Sequence, residues 1–148
     1  MGAGTYEDEI QPMMRVVIDT NVLLVSISTK SRYRPIFDAL LEGKYQLAIS
    51  NEILSEYMEV LERKANATVA TNIAEALLNS ENVIRTEIFF SWGLIKEDED
   101  DNKFVDCAIA ANAKYLVSND KHFRILQEVE FPKVDVVGIE EFLESLRE

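Results

Sequence analysis

The sequence predicts an α/β fold, a parallel sheet sandwiched between helices, and a small set of observations carries that prediction. Short apolar runs rich in β-branched residues, Val16-Val17-Ile18, Leu47-Ala48-Ile49 and Leu116-Val117, alternate with stretches whose apolar residues recur at helical spacing. Two of these runs give way to acidic residues, the first at Asp19 and the last, past Ser118 and Asn119, at Asp120. In a parallel sheet the carboxyl ends of the strands are where ligands are met. No internal repeat and no linker divides the 148 residues, which at 47% hydrophobic suffice for one core and leave no room for a second full domain.

The net charge of -12, from 15 basic and 27 acidic residues, argues against a protein that coats nucleic acid by bulk charge, but leaves room for a local basic rim. Cys107 is the single cysteine, so no internal disulfide can form and a reducing cytoplasm is the expected setting. The first thirteen residues lack the apolar core of a signal peptide and no run is long enough to span a bilayer, so a soluble protein with no membrane contact is expected. Residues 1–13 read as an N-terminal extension, poorly ordered, and residues 14–148 as the domain.

In chain order, Arg15 to Ile18 reads as a buried strand whose end meets a loop at Asp19, and apolar character continues from Val22 to Ile27. Ser28 to Pro35 is a polar connection carrying Lys30, Arg32 and Arg34. Ile36, Phe37, Leu40 and Leu41 then recur at helical spacing, with Gly43 as C-terminal cap. Gln46 to Ile49 reads as a strand, and Ser50 as the N-cap of a helix with Glu52 in its first turn. On that helix Ile53, Leu54, Tyr57, Met58, Val60 and Leu61 form one apolar arc, bordered by Glu56 on one side and Glu62 on the other. Periodicity alone makes the two equal as rim carboxylates.

Val69, Ile73, Ala76 and Leu77 predict a further helix over 67–78. Over 82–95 the pattern fits either a short strand followed by a helix or one bent helix, and any of its Ile88, Phe89, Phe90 or Trp92 left exposed would mark a partner surface. The acidic run from Glu97 to Asn102 reads as a solvated loop. Phe104, Val105, Ala108, Ile109 and Ala111 form a helix with Asp101 at its N-cap; on the wheel Asp101 points towards the apolar face and Asp106 lies just beyond its edge. Tyr115 to Val117 is a strand, followed by Phe123, Ile125 and Leu126 at helical spacing. Val134 to Val137 reads as the last strand and Ile139 to Leu146 as the last helix, with Gly138 between.

Two carboxylates at adjacent strand ends repel one another unless a cation neutralises them. Hard divalent cations held by carboxylates can activate water and offset the charge of a phosphodiester transition state, so no side-chain base is obligatory. His122 is the only histidine, which excludes a multi-histidine zinc site, and it reads as a surface or substrate-contacting residue. Lys30, Arg32, Arg34, Lys121 and Arg124 follow Asp19 and Asp120 in the chain and fall at the same edge. There each can grip a phosphate or simply be a solvated loop charge.

Four ordered blocks bear on identity: Val17-Ile18-Asp19-Thr20-Asn21, Ser50 through Tyr57, Asp100-Asp101-Asn102-Lys103-Phe104-Val105-Asp106 through Ala111, and Leu116-Val117-Ser118-Asn119-Asp120. Together they resemble a PIN domain, in the branch of toxin components of toxin–antitoxin systems related to the VapC toxins. The resemblance covers nearly everything from residue 14 onward. It implies a three-layer α/β/α sandwich with a central parallel, Rossmann-like sheet, an acidic cluster binding Mg2+ or Mn2+, and cleavage of single-stranded RNA. It also implies that Asp19, Glu56 and Asp120 are catalytic, metal-binding residues. Which residue fills the remaining acidic position is open, since Asp101 matches the Asp-Asp-Asn-Lys-Phe block of this branch and Asp106 matches the Asp preceding Ile-Ala-Ala in VapC-like members; both are expected in the catalytic, metal-binding set, Asp101 contacting the metal directly or through water and Asp106 completing the pocket. Asn21, Lys30, Arg32, Arg34, Ser118 and Lys121 are the expected substrate contacts, and a cognate antitoxin and a homodimer the expected partners.

The alternative that keeps the fold is a catalytically silent module that binds RNA or protein without cutting. Metal-dependent turnover separates the two. A haloacid-dehalogenase-type phosphatase wants a second Asp where Asn21 stands, and a receiver-type signalling domain would be identified by phosphate uptake from acetyl phosphate.

Overall fold

The computed structural model describes residues 13–147, so all but Met13 of the expected N-terminal extension lies outside the described residues. Its strands are β1 (Arg15–Ile18), β2 (Gln46–Ile49), β3 (Val83–Arg85), β4 (Tyr115–Val117) and β5 (Val136–Val137). They form one sheet in the order β3-β2-β1-β4-β5, every pairing parallel. Val16 pairs with Leu47 on one side and Tyr115 on the other, and Ile18 lies opposite Val117. Val16, Val17, Leu47, Ala48, Leu116 and Val117 are wholly buried. That is why these strands read as continuous apolar runs, as strands covered on both faces do.

The helices are α1 (Thr20–Ile27), α2 (Arg34–Leu41), α3 (Asn51–Lys64), α4 (Ala67–Leu78), α5 (Asn102–Ala110) and α6 (Ile139–Leu146). α1 packs on α2 and α3, α3 on α4, and α2 on α6, while α5 lies against β1, β2 and β4. The result is the α/β sandwich the sequence predicts. Local signals set several boundaries. Ser50 accepts a hydrogen bond from the Ile53 N–H at 3.2 Å and Asn66 one from Val69 at 2.8 Å, both N-caps. Gly43, at φ +74°, takes the left-handed conformation just past α2. Among the described residues no helix is long and apolar enough to cross a membrane.

Four local expectations change. No loop follows Asp19: α1 begins at the next residue, with Asp19 as its N-cap. Over 82–95 only the three-residue β3 is regular, and no helix follows it. The segment is instead tied to α5 by side chains, with Asn102 bonding both the N–H and the carbonyl of Ile95, and Asp106 accepting from the Trp92 N–H. Residues Lys121–Glu128 form 3-10 turns rather than an α-helix, and the last strand shrinks to its final two residues. Phe89, Phe90 and Phe131 are exposed, and Trp92 stands edge-on to Phe90 and Phe131 with ring centroids 4.7 and 6.2 Å apart.

The order of the strands decides where a site can form. From β1 the chain crosses to β2 on one side, and later returns to β4 on the other. Crossovers leaving in opposite directions open a crevice beyond the carboxyl ends of β1 and β4, and both Asp19 and the Ser118-Asn119-Asp120 turn emerge there.

Candidate active site

Asp19 is held from two directions. One carboxylate oxygen accepts the Val22 N–H at 2.9 Å, the helix cap, and the other accepts the Ser118 hydroxyl. Ser118 in turn accepts the Asp120 N–H at 3.0 Å, so one buried hydroxyl laces the ends of β1 and β4 together. Asp120 caps the 3-10 turns by accepting the His122 N–H at 2.9 Å. Asp19 is only 6% exposed. Burial pushes its carboxyl above the ordinary value of 3.8, and the charges of Asp120 and Asp101 add to that; the bonds from Ser118 and Val22 oppose the rise without cancelling it.

Glu56 comes from the second turn of α3. One of its oxygens accepts the Thr20 hydroxyl, and the other pairs with the Lys103 ammonium at 2.8 Å. Lys103, with a side chain 8% exposed, also reaches the carboxylate of Asp100 at 2.8 Å and its carbonyl at 2.7 Å. Burial works against its charge, but Asp100 and Glu56 outweigh that and hold its pKa above the ordinary value. Lys103 stands in the Asp-Asp-Asn-Lys-Phe block, but its pairing with Glu56 comes from α5 docking beside α3. Glu62, its equal partner by periodicity with Glu56, is exposed.

Asp101 stands at the start of α5 yet makes no capping bond. Its carboxylate pairs instead with Nδ1 of His122 at 3.0 Å; the same nitrogen lies 3.5 Å from Asp120, and Nε2 lies 3.4 Å from Glu97. The bond to Asp101 raises the imidazole pKa, and burial raises that of Asp101 itself. Asp106 is set apart. It is buried, its carboxylate accepts the Trp92 N–H at 3.1 Å, and it borders a different cavity with Ser50, Glu52 and Asn102. Burial, with the charge of Glu52, raises its pKa.

Asp19, Glu56, Asp101 and Asp120 therefore line one cavity of about 210 Å³, and Asp106 does not. Four carboxylates are hard oxygen donors that suit Mg2+ or Mn2+. They are not drawn tightly together, because Glu56 leans to Lys103 and Asp101 to His122. Among the described residues, the one trio with ligand atoms all within 4.8 Å of one another is Asp98, Asp101 and His122.

The expected substrate contacts divide. Asn21 is exposed and lines the carboxylate cavity. Ser118 is buried with its hydroxyl bonded internally, so it positions Asp19 and Asp120 and cannot meet a substrate in this arrangement. Arg32 pairs with Glu140 at 3.0 Å, and Arg34 with Asp38 at 2.8 Å and with the Ile27 carbonyl. Lys30, Arg32, Arg34 and Lys121 are not among the residues lining that cavity, whereas Arg63 and Lys64 are. The missed signal was spacing: Arg63 lies seven residues after Glu56 on one helix, two turns along the same face.

The family model described as PIN domain matches residues 15–122. No curated protein matches the chain. Among solved structures, the chain is similar to VapBC2 from Rickettsia felis bound to a DNA fragment from their promoter, with 18% identity over 84% of this chain and 98% of that one, TM-score 0.59. It is similar to VapC20 of Mycobacterium tuberculosis, a sarcin-ricin loop cleaving toxin, with 15% identity over 74% and 92%, TM-score 0.57. The PIN domain endonuclease Utp24 shares 21% identity over 86% of each chain, TM-score 0.52. At these identities the likeness is one of fold.

Proposed function

The chain belongs to the PIN domain family, and on that premise we propose that it is a metal-dependent endoribonuclease that cleaves phosphodiester bonds of single-stranded RNA. The observation that carries the reading is the convergence of Asp19, Glu56, Asp101 and Asp120, from four separate segments, on one cavity at the strand-order switch. These four would hold Mg2+ or Mn2+. When bound, such a cation supplies activated water and a counter-charge for the developing negative charge.

The chain's own contribution is to fix the donors in advance. Ser118 and the Val22 N–H orient Asp19, Thr20 and Lys103 orient Glu56, and His122 lies between Asp101 and Asp120. Asn21 sits at the rim, where a substrate would pass. Asp106 is assigned a different task, holding the backbone of Trp92 against α5. The family resemblance and the likeness in fold to VapBC2 and VapC20 support extending the proposal to a toxin role with a cognate antitoxin and a homodimeric state. The buried Cys107 thiol fits a cytoplasmic setting.

The test is incubation of the purified protein with labelled single-stranded and structured RNAs, in Mn2+, in Mg2+ and in chelator. Cleavage of the single-stranded substrate in metal, abolished by chelator, is expected. RNA binding without turnover would identify the silent binding module instead, and cleavage indifferent to chelator would remove the metal from the reaction.

A further inference from the structure

A cavity lined by Asp19, Glu56, Asp101 and Asp120, on a chain of net charge -12, repels a polyanion. A nucleic acid strand can approach it only where local cations offset its non-scissile phosphates. Among the described residues, Arg63 and Lys64, in the last turn of α3, are the only cations that line this cavity. Arg63 is largely exposed, and its ion pair with Glu59, the one it makes among the described residues, is long at 3.7 Å and just as exposed. Such a pair is worth little and exchanges readily for a phosphate. Arg63 also borders a second cavity of about 640 Å³, which shares Glu56 and Val60 with the first and is walled by the acidic Glu52, Glu59 and Asp100, so that cavity offers a strand no path of its own and Arg63 marks its boundary with the first. The two cavities thus meet at Arg63 and Glu56, the cation at the lip and the carboxylate at the floor.

From this juxtaposition we propose that Arg63 and Lys64 form a phosphate-binding rim, on which a single RNA strand rests backbone phosphates as it enters the acidic cavity. The inference rests on the nuclease reading above and adds the cations that receive the substrate's phosphates. A cation in the last turn also stabilises a helix through its dipole, so the test must separate binding from stability.

The experiment uses the Asp19→Asn protein, which should bind without cutting. Fluorescence anisotropy with a short labelled single-stranded oligoribonucleotide in Mg2+ gives Kd across a series of salt concentrations. Adding Arg63→Gln and Lys64→Gln together should weaken binding about tenfold and flatten the dependence of log Kd on log salt by about 1.4, or 0.7 for each lost phosphate contact. A charge-matched control, Lys44→Gln with Arg147→Gln, should change neither quantity. Thermal melts of both double variants report the helix-stabilising role separately. If the Asp19→Asn protein binds no RNA while the parent cleaves it, the rim is overturned and the nuclease reading stands; if the parent neither binds nor cleaves, the nuclease reading falls and the rim with it. If the Asp19→Asn protein binds RNA, and the rim pair matters no more than the control pair, the rim alone is overturned.

Discussion

At the scale of single residues, Asp19 carries the sharpest expectations. Asp19→Asn keeps an oxygen for the Val22 N–H, removes the charge and turns the acceptor of the Ser118 hydroxyl into an N–H donor, so cleavage should fall by orders of magnitude while the fold is kept, at the cost of at most that one hydrogen bond. Its pH dependence follows from linkage. Burial raises the carboxyls of Asp19 and Asp101 above the ordinary value of 3.8, so the native apo protein binds their protons more tightly than the unfolded chain does. The stability this contributes is full below about pH 3.8 and is lost as pH rises through the raised native values. Melting temperature without metal should therefore decline over that window, and Asp19→Asn should flatten the decline. An unchanged slope in that variant would remove Asp19 as its source.

Asp101 and Asp106 separate on the same logic. Asp101 makes no cap bond and faces the cavity, so Asp101→Asn should lose turnover at nearly unchanged stability. Asp106→Asn can still accept the Trp92 N–H and should keep cleavage within a few-fold of the parent. Asp106→Ala leaves that donor without its partner and should cost about 1–3 kcal/mol in urea unfolding. Loss of turnover in Asp106→Asn equal to that in Asp101→Asn would put Asp106 back in the site.

At the scale of elements, the turn after β4 also starts the last helix. The side-chain oxygen of Asn119 accepts the Ile139 N–H at 2.9 Å and so caps α6 across the sheet edge. Gly138 makes room for it, since a Cβ there would come within 2.8 Å of that oxygen. Asn119→Ala should cost about 1 kcal/mol, the usual worth of a helix cap. Gly138→Ala should cost a similar amount by pushing the carboxamide away. Because both changes break one interaction, the double variant should cost little more than either alone, and strict additivity in urea unfolding would refute the shared mechanism. Lys103 links elements in a comparable way, tying α5 to α3 through Glu56.

At the scale of the whole molecule, the four cavity carboxylates belong to a chain with net charge -12, so the apo fold carries a repulsion that a divalent cation relieves. Binding to the native state alone stabilises by mass action, about 2.7 kcal/mol at a hundred times Kd. For a chain of this length that corresponds to a rise in Tm of roughly 5–10 °C. Saturating Mn2+ should produce such a rise in the parent protein and much less in Asp19→Asn. No rise at millimolar metal in a folded protein would mean that the carboxylates do not share a cation.

What could be read from the residues alone is what is local. The runs at Val16-Val17-Ile18, Leu47-Ala48-Ile49 and Leu116-Val117 name the central strands because continuous burial leaves no polar alternation, and Ser50 and Gly43 mark helix ends through their own backbone chemistry. Asp19 and Asp120 were visible because each lies just past a strand. Periodicity, however, gives a residue its angle on a helix and says nothing of what that face meets. Glu56 stands apart from Glu62 only because Thr20 and Lys103 reach it, 36 and 47 residues away along the chain. The 82–95 segment lacks a helix because Asn102 and Asp106 take up backbone groups a helix would have used. Asp101 left its capping role for His122, and Arg63 came to the acidic cavity through the packing of α3. The bond from Ser118 to Asp19 spans 99 residues. Contacts at such separations are set by strand order and helix docking, which no local pattern encodes, and so only the tertiary structure could decide them.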